Sequence, residues 1–138
     1  MLEPDPTPGF AEYRLLVAED EPHLQRILGM ILEAQGFQVD IASDGHQALE
    51  RLRSKAVYHL VLLDLVMPGA SGLEILEWLS DSAFRPDLPV IVLTAKGQDT
   101  DRDQAFSLGA RDFITKPFSP RKLLSRIHDL LPDHPIGS

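Results

Sequence analysis

Five residues whose side chains can do chemistry stand at the ends of apolar runs. Glu19 and Asp20 follow "YRLLVA", Asp64 closes "YHLVLLD", Thr94 closes "VIVLT" and Lys116 follows "ARDFIT". A carboxylate among aliphatic residues is costly unless it is paired or reaches solvent, so Asp64 either ends a strand or is used. If these runs are neighbouring strands of one sheet, three carboxylates, a hydroxyl and an ammonium meet on one rim. Carboxylates grouped in this way repel one another unless a cation lies between them. The cation that fits is Mg2+, a hard ion that takes carboxylate, carbonyl and water oxygens, and no histidine or sulfur ligand is on offer to favour zinc. Each residue also has a plainer reading. Acids collect at helix starts through the macrodipole, an aspartate can cap a strand-to-loop turn, threonine is a good strand former, and a lysine before proline is commonly solvated.

The elements that must position these side chains alternate along the chain. "YRLLVA" (13–18) reads as a first strand. Pro22 then opens a helix whose first amides Asp20 or Glu21 can face; Leu24, Ile27, Leu28, Ile31 and Leu32 recur at helical spacing, and Gly36 marks the end. "FQVDIA" (37–42) alternates as a strand, and a second helix over about 46–54 turns Ala48, Leu49 and Leu52 inward behind a cap from Ser43 or Asp44. "YHLVLLD" (58–64) is apolar on both faces, as a central parallel strand is. A loop from Gly69 to Gly72 leads to a third helix carrying Leu73, Ile75, Leu76 and Leu79, with Trp78 at its outer edge. "VIVLTA" (90–95) is a fourth strand, 99–109 a polar helix closed by Gly109, "ARDFIT" (110–115) a fifth strand, and 119–131 a last helix with Leu123, Leu124, Ile127, Leu130 and Leu131 on one side. Five strand-helix units predict an α/β fold with a doubly wound parallel sheet covered by helices on both faces. Ligands of such sheets gather beyond the carboxyl ends of the strands, where the five residues stand.

A chain of 138 residues fits one domain. Residues 1–12, with three prolines, read as a loose arm; 13–131 hold the folded unit, and 132–138 read as a tail or the start of a linker. The balance of 13 Lys and Arg against 21 Asp and Glu gives a net charge of −8, which opposes direct binding to nucleic acid or anionic lipid. The absence of cysteine excludes disulfides and thiolate chemistry. With neither a signal peptide nor a run of about 18 apolar residues, a soluble cytoplasmic protein with no membrane contact is expected. The five histidines, His23, His46, His59, His128 and His134, show no metal spacing and read as surface or helix residues.

The acidic pair Glu19-Asp20, "DLVMPGASG" (64–72), "TA" (94–95) and "KP" (116–117) within "GARDFITKPF" resemble, in order and spacing, the receiver domain of two-component response regulators. The likeness spans about residues 13–131 and extends to the single-domain chemotaxis regulator. It implies a flavodoxin-like (βα)5 sheet of order 2-1-3-4-5 in three layers. It also implies that Asp64 is phosphorylated and that Mg2+ is held by Glu19, Asp20, Asp64 and the carbonyl of Val66, with Asp20 a direct ligand and Glu19 acting through water. Thr94 and Lys116 would assist the transfer, the Lys116-Pro117 bond would be cis, and Thr94 and Phe113 would form the switch. Phe113 reads equally as a core residue of the fifth strand, and Val66 and Lys96 flank the site.

The donor implied is a sensor histidine kinase, a histidine phosphotransfer protein or a small acyl phosphate. The domain would then phosphorylate and dephosphorylate itself without being a metabolic enzyme. Its output face would be helix 4, strand 5 and helix 5, read by a separate output protein or a fused output domain. Asp101, Arg102, Arg111, Asp112, Lys122 and Arg126 are candidates for a phosphorylation-dependent homodimer contact. Other readings fit less well. A haloacid-dehalogenase-like phosphatase needs a second Asp where Val66 stands, and a flavodoxin-like cofactor binder needs a phosphate loop where "EDEP" would repel phosphate. A phosphorylation-independent interaction domain does not need the five polar residues together.

Overall fold

The computed structural model describes residues 12–82, 85–95 and 98–131; Lys96, the tail and all of the arm except Glu12 lie outside them. The elements alternate as β1 (Arg14–Ala18), α1 (Pro22–Ala34), β2 (Gln38–Ala42), α2 (Gly45–Arg53), β3 (Leu60–Leu63), α3 (Gly72–Ser82), β4 (Val90–Thr94), α4 (Asp99–Ser107), β5 (Asp112–Thr115) and α5 (Pro120–Leu130). All neighbouring strands are parallel, in the order β2-β1-β3-β4-β5. The (βα)5 α/β fold with flavodoxin-like order is thus the one expected.

The alternation of side chains along each strand divides the interior in two. Leu16 and Ala18 of β1 face a cluster with Ala48 and Leu52 of α2, Ile75 and Leu76 of α3 and Ala105 of α4. Leu15 and Val17 face the other cluster, with Leu28 and Leu32 of α1 and Leu123 and Ile127 of α5. These two cores are the gaps between the three layers, and burying them is what drives the sheet and helices together.

The helix starts follow local chemistry. Glu21 caps α1 by accepting from the Leu24 amide at 2.7 Å, and Asp44 caps α2 by accepting from Gln47 at 2.8 Å. Ser71 and Glu74 form a reciprocal pair at the start of α3: the Ser71 amide donates to Glu74 at 2.7 Å and the Glu74 amide to Ser71 Oγ at 3.2 Å. The helix expected over 99–109 ends at Ser107, because Leu108 caps it and Gly109 takes a left-handed φ of 104°. Strand 5 therefore starts two residues later than expected, after the Arg111 amide has bonded to the Val90 carbonyl at 2.9 Å.

Strand 3 is also shorter than expected, Leu60–Leu63, and the side chains of the two residues before it brace the neighbouring strands. The Tyr58 hydroxyl donates to Asp40 Oδ2 at 2.7 Å, and His59 Nδ1 accepts from the Arg14 amide at 3.0 Å. His59 is thus a half-buried bracing residue beside the Tyr13 ring rather than a surface or helix histidine. Asp40 also receives Arg14 Nη1 at 3.2 Å and Arg51 at 3.4 Å. Arg85 lies over the Tyr58 ring and donates to the carbonyls of Leu52, Ser54 and Ala56 at 2.8, 3.0 and 2.6 Å. No helix among the described residues is long and apolar enough to cross a membrane.

Candidate phosphoryl-acceptor site

The backbone ladder aims the site residues. Each of three key residues makes, through its own amide, a bond to the neighbouring strand as its strand ends: Glu19 to Ala42 at 3.0 Å, Asp64 to Ala18 at 3.1 Å and Lys116 to Thr94 at 2.9 Å. Their side chains therefore emerge side by side on the carboxyl rim. One carboxylate oxygen from each of Glu19, Asp20 and Asp64 lies within 4.8 Å of the other two. Lys116 Nζ bridges Glu19 Oε1 at 2.7 Å and Asp64 Oδ2 at 2.8 Å. Thr94, at the end of β4, is fully buried.

The polar atoms of Glu19 and Asp64 are largely engaged. Glu19 Oε2 accepts from the Glu21 amide at 3.1 Å, and Asp64 Oδ1 from the Val66 amide at 3.1 Å. The Val66 side chain is turned outward, 59 % exposed. Burial pushes the Glu19 carboxyl above its ordinary range, against the opposing pull of Lys116 and the Glu21 amide. Burial alone would lower Lys116, but its hydrogen bonds to Asp64 and Glu19 outweigh that and raise it, so the ammonium stays charged. Among the described residues, one ammonium stands beside three carboxylates, leaving negative charge that a bound cation would balance. Hard oxygen donors of this kind, with no histidine among them, suit Mg2+.

Close backbone packing seats the loop after Asp64. A Cβ on Gly72 would overlap the Asp64 carbonyl, and one on Gly45 would overlap the carbonyl of Ala70, so neither position has room for a side chain. The Lys116-Pro117 bond is cis, as the resemblance implied. Phe113 is buried at 8 % exposure, with the Arg102 guanidinium 5.6 Å from its ring centre.

The structure brings Glu19, Asp20, Asp64 and Lys116 into one cluster, with Asp20 the most exposed of the three acids. The expectations missed Gln25, whose Nε2 donates to the Glu19 carbonyl at 2.6 Å. Its sequence signal is slight: a long amide side chain within one turn of a helix that begins beside the acids.

Sequence comparison decides the family, for the response regulator receiver domain profile matches residues 15–128. The chain belongs to the response regulator receiver domain family. It is 40 % identical over 120 residues to the transcriptional regulatory protein ResD of Bacillus subtilis, covering 87 % of this chain and 48 % of ResD. It is 42 % identical over 114 residues to the phosphate regulon transcriptional regulatory protein PhoB of Klebsiella pneumoniae, covering 83 % of this chain and 49 % of PhoB. The chain thus spans about half the length of these relatives. Among solved structures it resembles the response regulator TrrA of Thermotoga maritima, in complex with Mg(2+)-BeF, with a TM-score of 0.76 and 33 % identity over 86 % of this chain and 99 % of that one.

Proposed function

We propose that this receiver domain accepts a phosphoryl group on Asp64 from a sensor histidine kinase, a histidine phosphotransfer protein or a small acyl phosphate. The observation that carries the proposal is the Lys116 ammonium held between Glu19 and Asp64 at the edge of a three-carboxylate cluster. A carboxylate is already ionised at neutral pH, so Asp64 needs no general base. One of its oxygens forms the new P–O bond while the donor's P–N or P–O bond breaks, and the donor's imidazole or carboxylate leaves with the electron pair. The difficulty is bringing an anionic donor to an anionic acceptor.

Lys116 neutralises charge on the phosphoryl oxygens as they arrive, and the Thr94 hydroxyl and the Val66 amide would hydrogen-bond them by exchanging their present partners, which for Val66 is Asp64 Oδ1. Glu19, Asp20, Asp64 and the Val66 carbonyl would hold Mg2+, which when bound supplies further positive charge to the same oxygens. Attack of water on phosphorus would later return Asp64 to its free carboxylate, limiting the life of the signal.

The phosphoryl group adds a dianion beside Thr94 and Lys116, and reorganisation there would be passed through Phe113 to the face formed by α4, β5 and α5. The receiver unit is proposed to run over 13–131 and to work in the cytoplasm, its output read by a partner or by a further domain. Of the candidate dimer residues, Asp112 pairs with Arg126 at 3.2 Å and Arg102 covers Phe113, so a homodimer contact would have to share or replace these bonds.

The test is incubation with acetyl phosphate and Mg2+, followed by intact mass. One phosphoryl group should appear on the wild type and be absent from Asp64→Asn. Equal labelling of the variant would move the acceptor elsewhere.

A further inference from the structure

The edge strand β2 and helix α2 carry no residue of the proposed chemistry, yet the turn between them touches both halves of the acidic pocket. On one side, Gln25 of α1 donates from Nε2 to the Glu19 carbonyl at 2.6 Å and lies 3.2 Å from Ser43 Oγ. Ser43 is held in turn, its amide donating to Gln47 Oε1 at 2.8 Å. On the other side, the Gly45 amide donates to the Pro68 carbonyl at 2.9 Å, within the loop that follows Asp64.

The Glu19 carbonyl matters because it lies where β1 leaves the sheet. The Glu19 amide is fixed by Ala42. The direction of its carbonyl then decides how the peptide to Asp20 is turned, and hence where the Asp20 carboxylate points. Two adjacent acids facing a third would relax apart if that peptide were free to rotate. A donor on the carbonyl prevents this.

We infer that Gln25, braced on Ser43, is a positioning residue that fixes the Glu19–Asp20 peptide and so sets the affinity of the pocket for Mg2+. The inference rests on the metal-dependent phosphoryl acceptance proposed above. Gln25 contributes neither charge nor a reacting atom. Its loss should therefore weaken metal binding without slowing the chemistry once the metal is present.

The experiment is calorimetric titration of Mg2+ into the wild type and Gln25→Met, with acetyl phosphate labelling rates measured across a range of Mg2+ concentrations. Methionine keeps the stem and the helix but donates no hydrogen bond, and Gln25→Ala, the best helix former, is the second variant. Mg2+ binding should weaken about 5- to 10-fold, with the labelling rate restored to the wild-type value at saturating Mg2+. Ser43→Ala, which leaves the bond to Glu19 but removes its brace, should show about a 2-fold change. Wild-type Mg2+ affinity in both Gln25 variants would overturn the inference, as would a labelling defect that saturating Mg2+ does not repair. Failure of the underlying reading looks different: the wild type itself would neither bind Mg2+ nor take up phosphate.

Discussion

The two flanks of the sheet each gather charge, but they balance it differently. Toward the amino end, the single carboxylate of Asp40 takes two guanidiniums and a phenol, and Arg85 donates from Nε and Nη2 to three backbone carbonyls. At the carboxyl end, one ammonium binds two of three clustered carboxylates. The first group closes on itself and ties loops together. The second keeps an excess of carboxylates at the rim, where the proposed cation and phosphoryl group would bind. Charged clusters of similar size can therefore be told apart by the sign of their excess charge and by whether it is spent on groups of the chain, as the guanidiniums of the first are, or left facing the rim.

Removing single charges should break this contrast most sharply at Lys116. Lys116→Ala should slow acetyl phosphate labelling at saturating Mg2+ by about 100-fold, since a preorganised charge aimed at the reacting group is lost. Time-resolved intact mass checks it.

The next largest effects should have opposite signs. Asp40→Asn should lower unfolding stability by about 2 kcal/mol, because it weakens charge-assisted bonds from Arg14, Arg51 and Tyr58. Asp64→Asn should raise the stability of the metal-free protein by about 1 kcal/mol, because it relieves repulsion among the acids while Lys116 keeps Glu19. Urea unfolding in the presence of a chelator measures both, and changes of the same sign would show that the two clusters do not differ as described.

The smallest effect concerns His59. Burial holds its imidazole below the ordinary value of 6.5, and its Nδ1 is occupied in accepting the Arg14 amide. A folded-state value below the unfolded one means that the unfolded chain binds the proton more readily. The stability His59 contributes is therefore present above pH 6.5 and lost as pH falls through the lower folded-state value. His59→Gln, which has no such titration, should flatten this part of the stability profile, as urea midpoints near pH 7 and pH 5 would show.

The carboxyl flank was legible in the sequence and the amino flank was not. Glu19, Asp20, Asp64, Thr94 and Lys116 each end an apolar run, so a parallel sheet converts five local signals into one rim. Arg14, Asp40, Arg51, Tyr58 and Arg85 have no such marker. Asp40 looks like any outward residue of an alternating strand, and Tyr58 like the start of a buried one. The partners of their side chains lie up to 33 residues away, as from Arg85 to Leu52, at distances fixed only by the finished packing. Gln25 was overlooked for a related reason: its partner is a main-chain oxygen, which carries no residue-type signal.

Lys116 reaches a glutamate that entered the chain 97 residues earlier. A nascent polypeptide has made every acid of the pocket well before it makes the lysine, and until the fifth strand docks those acids stand without their internal counter-charge. Among the described residues, the pocket therefore has both its acids and its ammonium only once β5 has joined the sheet.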